Sequence, residues 1–218
     1  MDISILCSSP DHPVNAWLEG WIARRREHHD IRLARSTREL TGGDLLFLVS
    51  CGELVDAATR ARFRHALVLH ASDLPRGRGW SPHVWSILEG AETITVTLLA
   101  AADEPDTGAI WAQRRIDVPP HALHDEIDRR LFEAELALMD EALSLAADPR
   151  PRPQPTDIEP TYRRRRRPAD SELDPHDTIA AQFDRMRVAD PDRYPAFFRL
   201  RGHVYKLRLE KLDHDPGD

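Results

Sequence analysis

The segment VLHASDLPRGRGWSPHVWSILEG, Val68–Gly90, ends a branched apolar run on a histidine, His70. Imidazole takes up and releases a proton near neutral pH, so a histidine there is a candidate for general acid–base work. Its position matters as much as its type, because open α/β sheets collect ligands where their strands end. Other candidate groups carry less. Gly77-Arg78-Gly79 lacks the third glycine of a dinucleotide loop and is separated from the strand by a histidine and a proline; no GxxxxGK[ST] phosphate loop occurs. His121 and His124 lie one turn apart, and His28-His29-Asp30 form a second cluster. Without a cysteine or a second carboxylate at ligand spacing, both read as wet helix surface, and no metal is expected. Trp80 and Trp85 read as packing aromatics, and Asp106-Thr107 alone is a simple turn.

The elements that must position His70 follow from periodicity. Ile3–Cys7, Ile31–Ala34, Leu45–Ser50, Ala66–His70 and Ile94–Leu99 predict strands, several without polar alternation, as in a sheet covered on both faces. Helical spacing occupies Pro13–His29 and Val55–Phe63. Ser81-Pro82 predicts a hydroxyl cap before a helix over His83–Leu88, which Gly90 ends. A long helix is predicted from about His121 to Ala147, with Leu123, Ile127, Leu131, Leu138 and Leu145 on one stripe that packs on the sheet. The fold class is therefore α/β: a doubly wound, mostly parallel Rossmann-like sheet through residues 1–148. A Pro/Arg-rich linker over 149–168 leads to a C-terminal appendage over 169–218. That appendage comprises a helix near Thr178–Arg187 and a hairpin of AFFRL and VYKLRLE turning at Arg201-Gly202.

Composition narrows the class. A chain of 218 residues, 41% hydrophobic, suffices for one domain of about 150 residues plus an appendage. A net charge of −7 argues against a general nucleic-acid binder, which needs a basic contact face. The run Arg163–Arg167, with prolines upstream, reads either as a stiff solvated linker or as a phosphate-binding edge. The two cysteines, Cys7 and Cys51, lie in apolar runs, which fits a reducing compartment and a cytoplasmic location. No apolar run approaches the roughly 20 residues of a membrane span, and Asp2 is unlike a basic signal-peptide head.

Three stretches gain meaning together. His70 is followed by Ser72, Leu74-Pro75, Arg78-Gly79 and Pro82; Glu89-Gly90 leads into Thr95-Val96-Thr97; and Asp103-Glu104-Pro105-Asp106-Thr107-Gly108 runs into Ala109-Ile110. Their order and spacing, over roughly Leu45 to Ile116, resemble the formyltransferase family that uses 10-formyltetrahydrofolate, which includes methionyl-tRNA formyltransferase and the sugar N-formyltransferases. The resemblance implies a catalytic trio of asparagine, histidine and aspartate, of which His70 and Asp106 occupy two positions. It also implies a folate site at Ser50, Cys51, Gly52, Asp103, Thr107 and Gly108, with Gly52 admitting the flat pterin. Ser72, Arg78, Gly79, Arg167 and Asp170 are the implied contacts to the amine substrate. The third catalytic position is Val68, which donates no hydrogen bond. Losing an oxyanion donor costs about 3 kcal/mol, and the only asparagine, Asn15, lies in the first helical stretch. The replacement is then a protonated His70, the Ser72 hydroxyl, a backbone N–H or an ordered water; otherwise the site binds folate or sugar nucleotide without turnover.

The C-terminal region bears on the acceptor. Methionyl-tRNA formyltransferases carry a β-barrel domain and a basic surface, and the roughly 50 residues after the linker leave no room for that barrel. Arg167–Asp174, followed by Met186-Arg187 and Tyr194–Phe197, resembles the equivalent region of sugar N-formyltransferases acting on nucleotide-linked 4-amino sugars. The expected reaction moves a formyl group from 10-formyltetrahydrofolate to such an amine; another small amine or methionyl-tRNA is the alternative. Incomplete alternation in the hairpin leaves apolar surface for a partner subunit or the main domain, and a homodimer is expected.

Overall fold

The computed structural model describes residues 1–212, so the last six residues of the predicted appendage lie outside the described residues. Segments rich in aliphatic residues form β1 (Asp2–Leu6), β2 (Asp30–Ala34), β3 (Gly43–Leu48) and β4 (Phe63–His70), with α1 (Val14–Arg25) and the single-turn α2 (Ala57–Arg60) between them. Next come β5 (Arg78–Gly79), α3 (Pro82–Leu88), β6 (Thr93–Ala100), β7 (Ile110–Asp117) and α4 (His124–Leu145). The central sheet runs β2-β1-β3-β4-β6-β7. Its first four strands are mutually parallel, while β6 is antiparallel to both β4 and β7. The mostly parallel α/β sheet read from the sequence is therefore present.

The larger core lies between the sheet and helices α1, α3 and α4. Ile3, Ile5, Phe47 and Leu67 meet Leu18 and Trp21 of α1, Ile87 of α3, and Leu138 and Met139 of α4 there. Each such side chain, fully buried, contributes roughly 1.5–3 kcal/mol. Trp21 Nε1 donates to Asp140 Oδ1 at 2.8 Å, tying α1 to α4. The opposite face holds a smaller cluster of Leu6, Leu46, Leu48 and Phe63 under Leu40 and Val55.

Three local expectations are corrected. The helix expected over Val55–Phe63 is only one turn: Asp56 caps it by accepting from Thr59 N at 2.7 Å, and Phe63 already begins β4. Ser81 makes no side-chain cap on α3; it sits at φ 46°, and its carbonyl receives Val84 N at 3.1 Å. Strand β7 was not anticipated, because Gln113, Arg114 and Arg115 break its apolar run. Such a run is tolerated on the half-exposed outer strand of a sheet.

The proline-rich segment is docked on the domain. Arg152 and Ile110 exchange backbone hydrogen bonds at 2.9 and 2.7 Å, and β8 (Tyr162–Arg163) pairs in parallel with β5. The arginine run is not a free solvated linker, since the protein itself engages most of its cations. Arg163 grips Glu89 at 2.6 and 2.5 Å, and Arg164 grips Asp170 at 2.8 and 2.5 Å. Arg165 lies over Trp80 and Arg164 over Trp85, each 4.9 Å from the ring centroid. Beyond it, β9 (Glu172–Leu173), α5 (Ile179–Arg187), β10 (Ala196–Leu200) and β11 (His203–Leu207) form a small unit with sheet order β11-β10-β9. Its core is Leu173, Met186, Ala189 and Ala196. Among the described residues, no helix is long and apolar enough to cross a membrane.

Candidate active site

His70 closes β4, is 7% exposed, and lies opposite Thr97 of β6. Alternation sends Leu67 and Leu69 into the main core and puts Val68 on the same strand face as His70. Val68 packs against Leu74, Leu99 and Ile110. His70 Nε2 is 2.8 Å from the Gly77 carbonyl oxygen. A carbonyl only accepts, so Nε2 carries the hydrogen. Nδ1 is 3.4 Å from Asp106 Oδ1, an ion-pair distance for a charged imidazole. Both ring nitrogens thus lie beside oxygen atoms.

Asp106 arrives on the loop joining β6 to β7 with φ 61°, a left-handed conformation that aspartate tolerates. Its Oδ2 accepts from Gly79 N at 2.8 Å. Two glycines are dictated by close backbone approach: a Cβ on Gly108 would sit 1.7 Å from the Ala100 carbonyl oxygen, and one on Gly79 would sit 2.3 Å from that of Arg163. Ser72 N donates to the His70 carbonyl at 3.0 Å, and Thr97 Oγ1 donates to the Ser72 carbonyl at 2.7 Å. The Ser72 hydroxyl is buried with no partner among the described residues. Asn15 is fully occupied: its amide nitrogen donates to the carbonyls of Ser9, Pro10 and His12, and its oxygen accepts from Arg35.

The structure therefore gathers His70, Ser72, Gly79 and Asp106, with Arg78, Thr107 and Gly108 adjoining them in the chain. Ser50, Cys51 and Gly52 form the turn after β3, where Gly52 N donates to Ser8 Oγ at 2.8 Å. A Cβ on Gly52 would lie 3.7 Å from the Trp80 ring, an ordinary contact, so the ends of β1 and β3 share a rim with Trp80. Leu54, 74% exposed, adds apolar surface to that loop. Asp103 is held by Arg60, and Thr107 Oγ1 donates to the Glu104 carbonyl at 2.7 Å. Arg78 is buried; it donates to Tyr162 Oη at 2.9 Å and Gln154 Oε1 at 2.8 Å, beside a cavity of about 450 Å³. Asp170 serves Arg164 and accepts from Arg167 N at 2.6 Å. Among the described residues, no group of three or more His, Cys, Asp or Glu could hold a metal ion.

A second polar group connects α1, α3 and α4. Burial pushes His83 down to about 4, with positive charge on His12 and His70 adding to the effect. His12 is likewise pushed down to about 4 by burial and then Arg193. Burial, followed by Asp190, lifts Asp128 to about 7, and burial, followed by Asp128, lifts Glu135 to about 8. Reading the sequence missed Gln154 and Thr161. Nothing signals either, because each is one polar residue among prolines in a segment with no periodicity.

Fold and site define an α/β protein with a His–Asp pair at a strand end. The chain belongs to the formyl transferase family, whose model matches residues 7–143. It is 30% identical over 175 residues to methionyl-tRNA formyltransferase of Nitrosomonas europaea, covering 75% of this chain and 51% of that protein. The chain thus spans about half the length of the curated relatives it matches. Its fold is similar to that of HypX from Aquifex aeolicus in complex with tetrahydrofolic acid, with TM-score 0.79 at 21% identity, covering 99% of this chain and 39% of the other. It is also similar to a sugar N-formyltransferase from Shewanella sp., with TM-score 0.74 at 16% identity, covering 99% of both chains.

Proposed function

We propose that this protein transfers a formyl group from 10-formyltetrahydrofolate to the amine of a nucleotide-linked amino sugar, with His70 as proton acceptor and Asp106 as its partner. The carrying observation is the held imidazole: Gly77 accepts from Nε2–H at 2.8 Å, and Asp106 Oδ1 lies 3.4 Å from Nδ1, the nitrogen left to take up a proton. Bound 10-formyltetrahydrofolate supplies the formyl carbon and a nitrogen leaving group. The rim of Ser8, Gly52, Leu54 and Trp80 offers the flat apolar surfaces such a ring system needs. His70 takes the proton shed by the attacking amine and returns it to the departing folate nitrogen, and Asp106 stabilises the imidazolium between the two transfers. With Val68 unable to donate and His70 Nε2–H held by Gly77, the unpartnered Ser72 hydroxyl is the side-chain donor left beside His70 for the forming oxyanion.

A net charge of −7, and arginines already engaged by Glu89, Asp170 and tryptophan, favour a small acceptor over a tRNA acceptor stem. The second reading, methionyl-tRNA, is favoured by the names of relatives that are 25–32% identical to this chain. Incubation with 10-formyltetrahydrofolate and either nucleotide-linked 4-amino sugars or methionyl-tRNA, followed by mass spectrometry, decides between them. Formylated sugar is expected, and formyl-methionyl-tRNA alone assigns the acceptor to the second reading. Tetrahydrofolate binding without any product assigns a binding protein instead.

A further inference from the structure

We infer that Gln154, carried by the proline-rich segment outside the α/β core, is a positioning residue for Asp106. The inference rests on the formyl-transfer reading of the His70–Asp106 pair. Gln154 Nε2 donates to the carbonyl oxygens of Asp106 at 2.8 Å and Gly108 at 3.0 Å, the two ends of the turn that presents the carboxylate. Its Oε1 accepts from the guanidinium of buried Arg78 at 2.8 Å. Arg78 directly precedes Gly79, whose N–H holds Asp106 Oδ2. One side-chain amide therefore bridges both loops that meet at Asp106.

The same segment braces the second loop again. Thr161 Oγ1 accepts from Gly77 N at 2.8 Å, next to the carbonyl that holds His70 Nε2. Arg78 N and Trp80 N donate to the carbonyls of Thr161 and Arg163 at 2.9 Å each. The segment is thus a strap across the site: Gln154 bonds the carbonyls on either side of Thr107, and Tyr162 Oη donates to Glu104 Oε1 of the same loop at 3.2 Å. Asp106 stands in a left-handed conformation. Such a turn holds its place only when its surroundings over-determine it, and Gln154 supplies two of its bonds. Displacement by about 1 Å of a group that orients a catalytic base costs about 100-fold in rate.

Gln154→Glu separates positioning from scaffolding. It keeps the shape and the Arg78 contact but replaces both donors with a carboxylate that faces two carbonyl oxygens. The expected result is a kcat about 100-fold lower, KM for 10-formyltetrahydrofolate within about threefold, and a melting temperature near that of the unsubstituted protein. In an Asp106→Ala background the same change should cost less than about threefold more, because both act through one carboxylate. Asp157→Asn, an exposed change in the same strap, should leave kcat unaltered. A kcat for Gln154→Glu within about threefold of normal, or a full additional loss in the Asp106→Ala background, overturns the inference. Should the unsubstituted protein transfer no formyl group, the formyl-transfer reading fails separately, and a crystal structure of Gln154→Glu decides this one. Separation of His70 Nδ1 and Asp106 Oδ1 beyond about 4 Å supports it, and an unchanged contact contradicts it.

Discussion

Glu135 is buried on α4, and its Oε2 has no partner among the described residues. Its carboxyl is raised from 4.5 to about 8, so the folded state keeps a proton that the unfolded chain releases. Stability from this residue therefore falls as pH rises from about 4.5 to about 8. His12 and His83, lowered from 6.5 to about 4, act with the opposite sign: stability is lost as pH falls from about 6.5 to about 4. Glu135→Gln should raise the unfolding free energy by roughly 1–3 kcal/mol at pH 7 and change it little at pH 4. Chemical denaturation at the two pH values checks this, and equal changes at both would contradict it. At this scale the sequence showed His70 and Asp106, because the residues around each match one family pattern. It hid Glu135, a charged residue on an otherwise apolar stripe, and Gln154, whose role exists only once two distant loops meet.

The hairpin β10–β11 presents its outer strand to solvent, with Val204 57% and Tyr205 43% exposed, while Phe198 stacks on Tyr205 at 5.3 Å. We propose that β11 joins a second copy of this chain, because a strand edge with no strand beside it among the described residues, flanked by apolar side chains, invites pairing. Sedimentation velocity should show a dimer that Val204→Asp converts to monomer; a wild-type monomer at micromolar concentration would refute the proposal. Regular elements were the most legible part of the chain. Strands β1, β3 and β4 and helix α4 follow from aliphatic runs and the 3.6-residue stripe. What escaped is pairing decided between segments. The two-residue strands β5, β8 and β9 are too short for any periodicity, and β7 is polar where the sheet meets solvent.

Across the whole molecule, the α/β core supplies His70, a loop between its antiparallel strands supplies Asp106, and the strap beyond α4 holds both approaches in register. The sheet class was legible from alternating strands and helices. The strap was not, because prolines and arginines spaced for no secondary structure read alike whether solvated or docked. The central claim is that Asp106 serves as the charged partner of the His70 imidazole during formyl transfer. Asp106→Asn keeps the shape and removes the charge, so kcat for transfer from 10-formyltetrahydrofolate should fall at least about 100-fold with the donor KM nearly unchanged. A kcat within about threefold of the unsubstituted protein would contradict the account.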